Sequence, residues 1–227
     1  GCGTIGGYLA EMLAKAGAGT LGGTLTLVDM GSLEPGNLGR HRLGFNALTK
    51  KKAEAMCDEL ERVAPGIDAV AVVGDVKDAN LGPLDLLIDA TGEQGLTDWL
   101  TWQYADKVPF LAAWVEGTGA AVRALLKAKP EHACARCISQ PPLNDQYRVF
   151  DVPPEVIMKG HGCEGLYGPF PATASVQAAA LAMEMVQAWL DGAESPSFRT
   201  RVLDLQREVH FKDCSPQRAE GCPACAT

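Results

Sequence analysis

The chain has 227 residues, 47% of them hydrophobic and 21% charged, which is enough apolar surface for a buried core and excludes a disordered segment or a coiled coil. With 28 acidic against 20 basic side chains the net charge is −8, which argues against non-specific nucleic-acid binding. Eight cysteines are more than packing needs and too few for a disulfide scaffold, so their spacing must decide their use. No basic start followed by an apolar run and a small-residue cleavage site opens the chain, so a reducing, cytoplasmic compartment is expected.

The first six residues, Gly1-Cys2-Gly3-Thr4-Ile5-Gly6, fit G-x-G-x-x-G, and a helix is expected over 8–16, stopped by Gly17 and Gly19. A short buried strand over 25–28 ends at Asp29. Helical spacing returns over 51–63, strands over 69–73 and 84–88, the latter ending at Asp89, then a helix over 96–106 and strands over 109–115 and 120–126. The texture of 127–171, rich in Pro, Gly, Cys and His, marks a long functional connection. A helix over 173–190 follows, and its Gln177, Glu184 and Gln187 make it a buried helix and not a membrane span. Strand-like runs at 201–205 and 208–211 precede a Cys-rich tail. This alternation predicts an α/β fold: a Rossmann-like, mostly parallel sheet with helices on both faces and a long crossover loop. A glycine motif normally follows a strand that holds it at the sheet's carboxyl edge, so one domain over 1–227, short of its first strand, is expected.

In the glycine motif, Gly1, Gly3 and Gly6 let backbone N–H groups and a helix N-terminus approach a phosphate, and Asp29, 23 residues after Gly6, is placed to accept from ribose hydroxyls. NAD, FAD and ATP fit these features equally. The polar segment from Met30 to His41 adds Asn37 and Arg40, three apart, an amide and a guanidinium suited to polyphosphate. Lys50-Lys51-Lys52 then opens a helix, and one ammonium can reach back to the same phosphates; alone, the run reads as a solvated helix face.

Cys134-Ala135-Arg136-Cys137 and Cys222-Pro223-Ala224-Cys225 are two C-x-x-C turns with 84 residues between them. Two such turns complete a closed, tetrahedral zinc site, with redox pairs as the other reading. The site would staple the tail, 212–227, to the segment after the last sheet strand. Cys2 and Cys57 read as packing residues, and Cys214 as incidental. Cys163 lies in the polar run His161-Gly162-Cys163-Glu164-Gly165, where the imidazole favours a thiolate and Glu164 opposes it; catalytic nucleophile and inert loop thiol both remain open.

The glycine motif, the D-(x)7-N-L-x-R frame of Asp29, Asn37, Leu38 and Arg40, the lysine before Ala53 and the two cysteine pairs resemble the adenylation domain of the ThiF/MoeB/ubiquitin-activating enzyme family, over nearly the whole chain. The resemblance implies ATP with Mg2+, Asp29 on the ribose, and Asn37, Arg40 and Lys52 on the phosphates. It implies adenylation of the C-terminal glycine of a ubiquitin-like or sulfur-carrier protein, and acyl transfer to Cys163 as a thioester. A homodimer is the implied assembly. Where the family usually has D-x-T-D, this chain has Asp89-Ala90-Thr91-Gly92, so Asp89 or Glu93 would have to take the role of the second aspartate. That variant, and His41 where glutamine is common, resemble bacterial members fused behind a ubiquitin-conjugating-like domain. Two other functions compete: a nicotinamide-dependent oxidoreductase, and a non-catalytic, zinc-stapled nucleotide-binding interaction module.

Overall fold

In the computed structural model, which describes residues 1–140, 143–152 and 169–225, helix α1 (Thr4–Lys15) starts at the glycine turn itself, with Gly3 as its N-cap. The expected start at residue 8 falls short because Gly6 and Gly7, poor helix formers in isolation, are inside the first turn. Gly7 is there for close approach, since a Cβ on it would lie 3.2 Å from Arg42 Cβ.

The chain divides into two compact units, Gly1–Leu84 and Asp85–Thr227. In the first, β1 (Leu25–Val28) and β2 (Ala69–Val72) pair in parallel from Leu25↔Ala69 to Val28↔Val72, joined by α2 (Lys52–Val63), as a parallel crossover requires. Helix α2 packs on both strands and on α1. Leu27, Leu33, Leu43, Met56 and Leu60 are buried together there, and each such side chain contributes about 1.5–3 kcal/mol by leaving water. Arg42 ties the two helices, ion-pairing with Glu11 of α1 and, at 2.8 Å, with Glu59 of α2.

In the second unit a four-stranded sheet runs in the order β3 (Leu87–Asp89), β4 (Phe110–Glu116), β5 (Ala121–Lys127), β6 (Phe198–Val202). β3 and β4 are parallel because α3 (Gln94–Tyr104) crosses between them; β4–β5 is antiparallel because only a short Gly-rich turn does. β5–β6 is antiparallel too. Among the described residues of 127–171 lie two short helices, α4 (Ala135–Ser139) and α5 (Leu143–Gln146). Helix α6 (Ala172–Leu190) lies on β4 and β5 through Ala174, Ala178, Ala179 and Ala182, all fully buried; alanine lets helix and sheet approach closely. β6 begins three residues before the expected 201: Phe198, fully buried, anchors it, while Leu205 is 86% exposed. Of 208–211 only Val209 bridges, to Phe150. Among the described residues no helix is long and apolar enough to cross a membrane.

Candidate nucleotide site and four-cysteine centre

The first unit gathers most of the predicted nucleotide ligands around the start of α1. The Gly3 cap makes no side-chain bond and no acid stands in the first turn, so the leading N–H groups of α1 lack an intrahelical acceptor, an arrangement that suits an anion. At the end of β1, Asp29 accepts from two backbone amides, Cys2 N–H at 2.8 Å and Gly31 N–H at 2.7 Å. These bonds hold the glycine turn and the outgoing strand against one carboxylate, whose remaining lone pairs can accept further.

Lys52 is the first residue of α2, partly buried, and its N–H bonds Gly31 O at 3.0 Å. A Cβ at Gly31 would lie 3.1 Å from Asp29 Oδ1 and 3.2 Å from Lys52 Nζ, so carboxylate and ammonium converge over a position where glycine leaves room. Lys51 instead turns its Nζ to Met30 O, at 3.2 Å, and Lys50 is exposed.

Asn37 ends a short 3-10 helix (Pro35–Asn37) and caps it, its Oδ1 accepting from Glu34 N–H at 3.1 Å. The two amide hydrogens on its other end remain available for a phosphate. Its carbonyl turns the chain back by accepting from both Arg40 N–H (3.1 Å) and His41 N–H (2.9 Å). His41, which the sequence marked only as a family departure, is buried and reaches Cys2 O at 2.8 Å. Cys2, Asp29, Gly31, Lys52, Asn37, Arg40 and His41 are thus joined by hydrogen bonds in one neighbourhood at the glycine turn, and Gly31 and the bonded role of His41 have no signal in the sequence. Burial pushes the Cys2 thiol in this turn up to about 12, so it is no nucleophile.

Asp89 belongs to the second unit and is 2% exposed. Its Oδ1 accepts from Thr91 N–H (2.9 Å) and Thr91 Oγ1 (2.6 Å), and its Oδ2 from Thr97 Oγ1 (2.5 Å). Those donors make it an organiser of the turn into α3, and Glu93, the exposed N-cap of α3, is the open carboxylate of that turn. Gly92 has φ +68°, a conformation that favours glycine but that aspartate also visits.

The four cysteines meet as one buried cluster. Cys134 and Cys137 flank the start of α4, and their sulfurs are 3.6 Å apart; Cys134–Cys222 is 3.8 Å and Cys137–Cys225 is 3.5 Å. A tetrahedron of thiolates 2.3 Å from zinc has sulfurs about 3.8 Å apart, so the donor set fits that ion. Hydrogen bonding from Cys134, aided by the Ala219 N–H and opposed by burial, holds Cys137 below the ordinary thiol range. Cys134 is pushed up by the same bond and burial, and burial lifts Cys225 to about 12; a bound dication would remove those protons. Redox pairing would bring two sulfurs together at a time, whereas here each pair also faces the other. Around the cluster Phe198 packs against Trp114, Tyr147 and Phe211, with the Arg123 guanidinium 4.1 Å above its ring. Cys214 packs on this wall, and its carbonyl accepts from Phe198 N–H. Cys163 lies outside the described residues.

The chain is 53% identical over 225 residues to "ATP-dependent ubiquitin transferase-like protein Cap2" of Pseudomonas aeruginosa, covering 99% of this chain and 41% of that one. It is 30% identical over 239 residues to the protein of that name in Vibrio cholerae, covering 99% and 40%. The chain therefore spans about two fifths of these relatives. In fold it is similar to E. coli MccB solved with MccA-N7isoASN, at a TM-score of 0.74 and 19% identity over 100% of this chain and 65% of that one. Residues 1–224, from the glycine turn through the N-L-x-R turn and into the second cysteine pair, match the ThiF family, and the chain belongs to it.

Proposed function

We propose that this chain is the ATP-binding adenylation domain of an activating enzyme whose substrate is the C-terminal glycine of a ubiquitin-like or sulfur-carrier protein. The observation that carries the reading is the single hydrogen-bonded neighbourhood of glycine turn, Asp29, Lys52 and the Asn37–Arg40 turn. The two Cap2 relatives, described as ATP-dependent, support the nucleotide.

Asp29 holds the ribose hydroxyls, while the α1 N-terminus, the Asn37 amide, Arg40 and Lys52 neutralise and orient the triphosphate. A carboxylate oxygen of the carrier attacks the α-phosphorus, the bond to the bridging oxygen breaks, and pyrophosphate leaves. Positioning and charge neutralisation supply the rate, since no protein group becomes covalent in this step. Mg2+ would enter on the phosphates and add charge neutralisation. The Cys163 thiolate then attacks the acyl carbon, expelling AMP and leaving a thioester. A ubiquitin-conjugating-like domain is the proposed onward partner, and a homodimer the proposed assembly.

ATP–pyrophosphate exchange in the intact protein with candidate carriers tests the first step, and a thiol-labile carrier adduct lost in Cys163→Ala tests the second. Exchange absent with every carrier, together with Arg40→Ala binding ATP as wild type does, overturns the proposal. Gly92, where the family usually has aspartate, and the occupied Asp89 carboxylate favour one rival, a nucleotide-binding module without turnover. It predicts ATP binding and no exchange with any carrier.

A further inference from the structure

His41 is 5% exposed and has no chemical part in the adenylation reading. Its Nδ1 accepts from Leu43 N–H at 3.0 Å. A backbone amide only donates, so Nδ1 carries no proton; the ring hydrogen is on Nε2, which donates to the Cys2 carbonyl at 2.8 Å. A third side of the ring rests on α1, where a Cβ at Gly7 would lie 3.5 Å from His41 Cε1 and 3.2 Å from Arg42 Cβ. A glycine at position 7 gives the imidazole its seat.

We infer that His41 is a positioning residue of the nucleotide site: a neutral imidazole clamp that fixes the glycine turn to the Asn37–Arg40 turn and loses its own anchorage to Leu43 in acid. The inference rests on the ATP reading for its ligand, and on geometry alone for the clamp. Two segments far apart in sequence must present phosphate ligands at once, and His41 hydrogen-bonds from one to the other. Protonating Nδ1 turns an acceptor into a donor facing the Leu43 N–H, so that bond breaks; Nε2–H still donates to the Cys2 carbonyl, but from a ring pushed off the seat that aims it. The charged and titratable groups facing the ring are Lys52 on α2, Arg40 in its own turn, Asp29 at the end of β1 and the Cys2 thiol. Burial first, then Lys52 and Arg40, disfavour the imidazolium, against the Cys2 carbonyl and Asp29, which favour it; the net shift is downward. A glutamine amide carries an acceptor oxygen and a donor nitrogen separated by one carbon, as the two imidazole nitrogens are. It can keep both bonds and cannot titrate.

The intact protein, His41→Gln and His41→Ala are compared by calorimetric binding of a non-hydrolysable ATP analogue from pH 8 to pH 5, and by amide hydrogen exchange over residues 1–7 without nucleotide. Wild type should lose affinity at least fivefold below the ordinary imidazole range near pH 6.5, and His41→Gln should hold its affinity. The nucleotide's own protonation is common to both proteins and cancels. His41→Ala should bind at least tenfold more weakly at every pH and exchange the glycine-turn amides at least tenfold faster, with His41→Gln restoring both. Unchanged exchange in His41→Ala, an acid slope retained in His41→Gln, or tighter binding in acid, as for an imidazolium touching phosphate, overturns the inference. Faster exchange in His41→Ala without ATP binding by wild type at any pH overturns the ATP reading and leaves the clamp standing.

Discussion

At the position between Asp29 and Lys52, a single methyl group is a sharp probe. Gly31→Ala puts a Cβ 3.1 Å from the carboxylate oxygen and 3.2 Å from the ammonium, closer than ordinary contact, and the flexible lysine must give way. ATP affinity should fall about tenfold, some 1.4 kcal/mol, while the melting temperature moves little; titration calorimetry and a thermal melt separate the two. Gly92 offers the converse test. At φ +68°, with nothing within 4 Å of a built Cβ, Gly92→Asp is sterically free and costs about 1–2 kcal/mol of backbone strain. Pyrophosphate exchange should rise severalfold if the missing carboxylate limits the reaction, and an unchanged rate places the limit elsewhere. Burial lowers the His41 pKa, so the unfolded chain binds its proton first as pH falls. Its contribution to stability is therefore whole above about pH 6.5 and lost as pH drops through the folded value; the melting temperature of His41→Gln should fall less between pH 7.5 and 5. The cysteine pairs are legible in sequence because their chemistry is in their spacing, and the spacing of Asp29, Asn37 and Arg40 is what proposes them as nucleotide ligands. His41, Gly7 and Gly31 are not legible there, because their role is defined by what lies across the fold from them.

The helices and strands show the same division. Elements whose apolar residues recur at their own period, such as α2, β4 and β5, stand within a residue or so of where periodicity puts them. Four do not: β3 starts three residues later than expected, at Leu87, α3 two residues earlier, at Gln94, and α1 and β6 depart for nameable reasons. The first turn of α1 is written in glycine, which reads as loop until the anion-facing turn it serves is known. β6 alternates arginine and threonine after Phe198, a polar texture whose burial comes from Arg123, stacked on the aromatic wall and bonded to Thr200. Direction of pairing follows connection length for β3–β4, joined by a helix and parallel, and for β4–β5, joined by a short turn and antiparallel; β5–β6 is antiparallel across the long connection that ends in α6. Helix α6 depends on small residues at its sheet-facing positions. Ala178→Leu should cost about 1–3 kcal/mol by overpacking, measured as a lower denaturant midpoint with unchanged slope.

Across the molecule, stability is supplied in two different ways. The first unit rests on an apolar core of its own, whereas the second also relies on the cysteine cluster, which draws residues 134–137 and 222–225 together. The protein should release about one equivalent of zinc to a strong chelator. Hydrogen exchange should then accelerate in α4 and the Cys222–Cys225 tail and not in α2, and Cys222→Ser should reproduce the pattern. Exchange that rises equally in both units would show the cluster to be no local support. The cluster also has a history during synthesis. Each sulfur pair that spans it joins residues 88 positions apart. At translation rates of about 5–20 residues per second, roughly 4 to 18 s pass between the appearance of the first two thiols and of their partners. For that interval the nascent chain carries an open pair of thiols, which the cell must keep from oxidation and from the wrong metal before the tail arrives to close it.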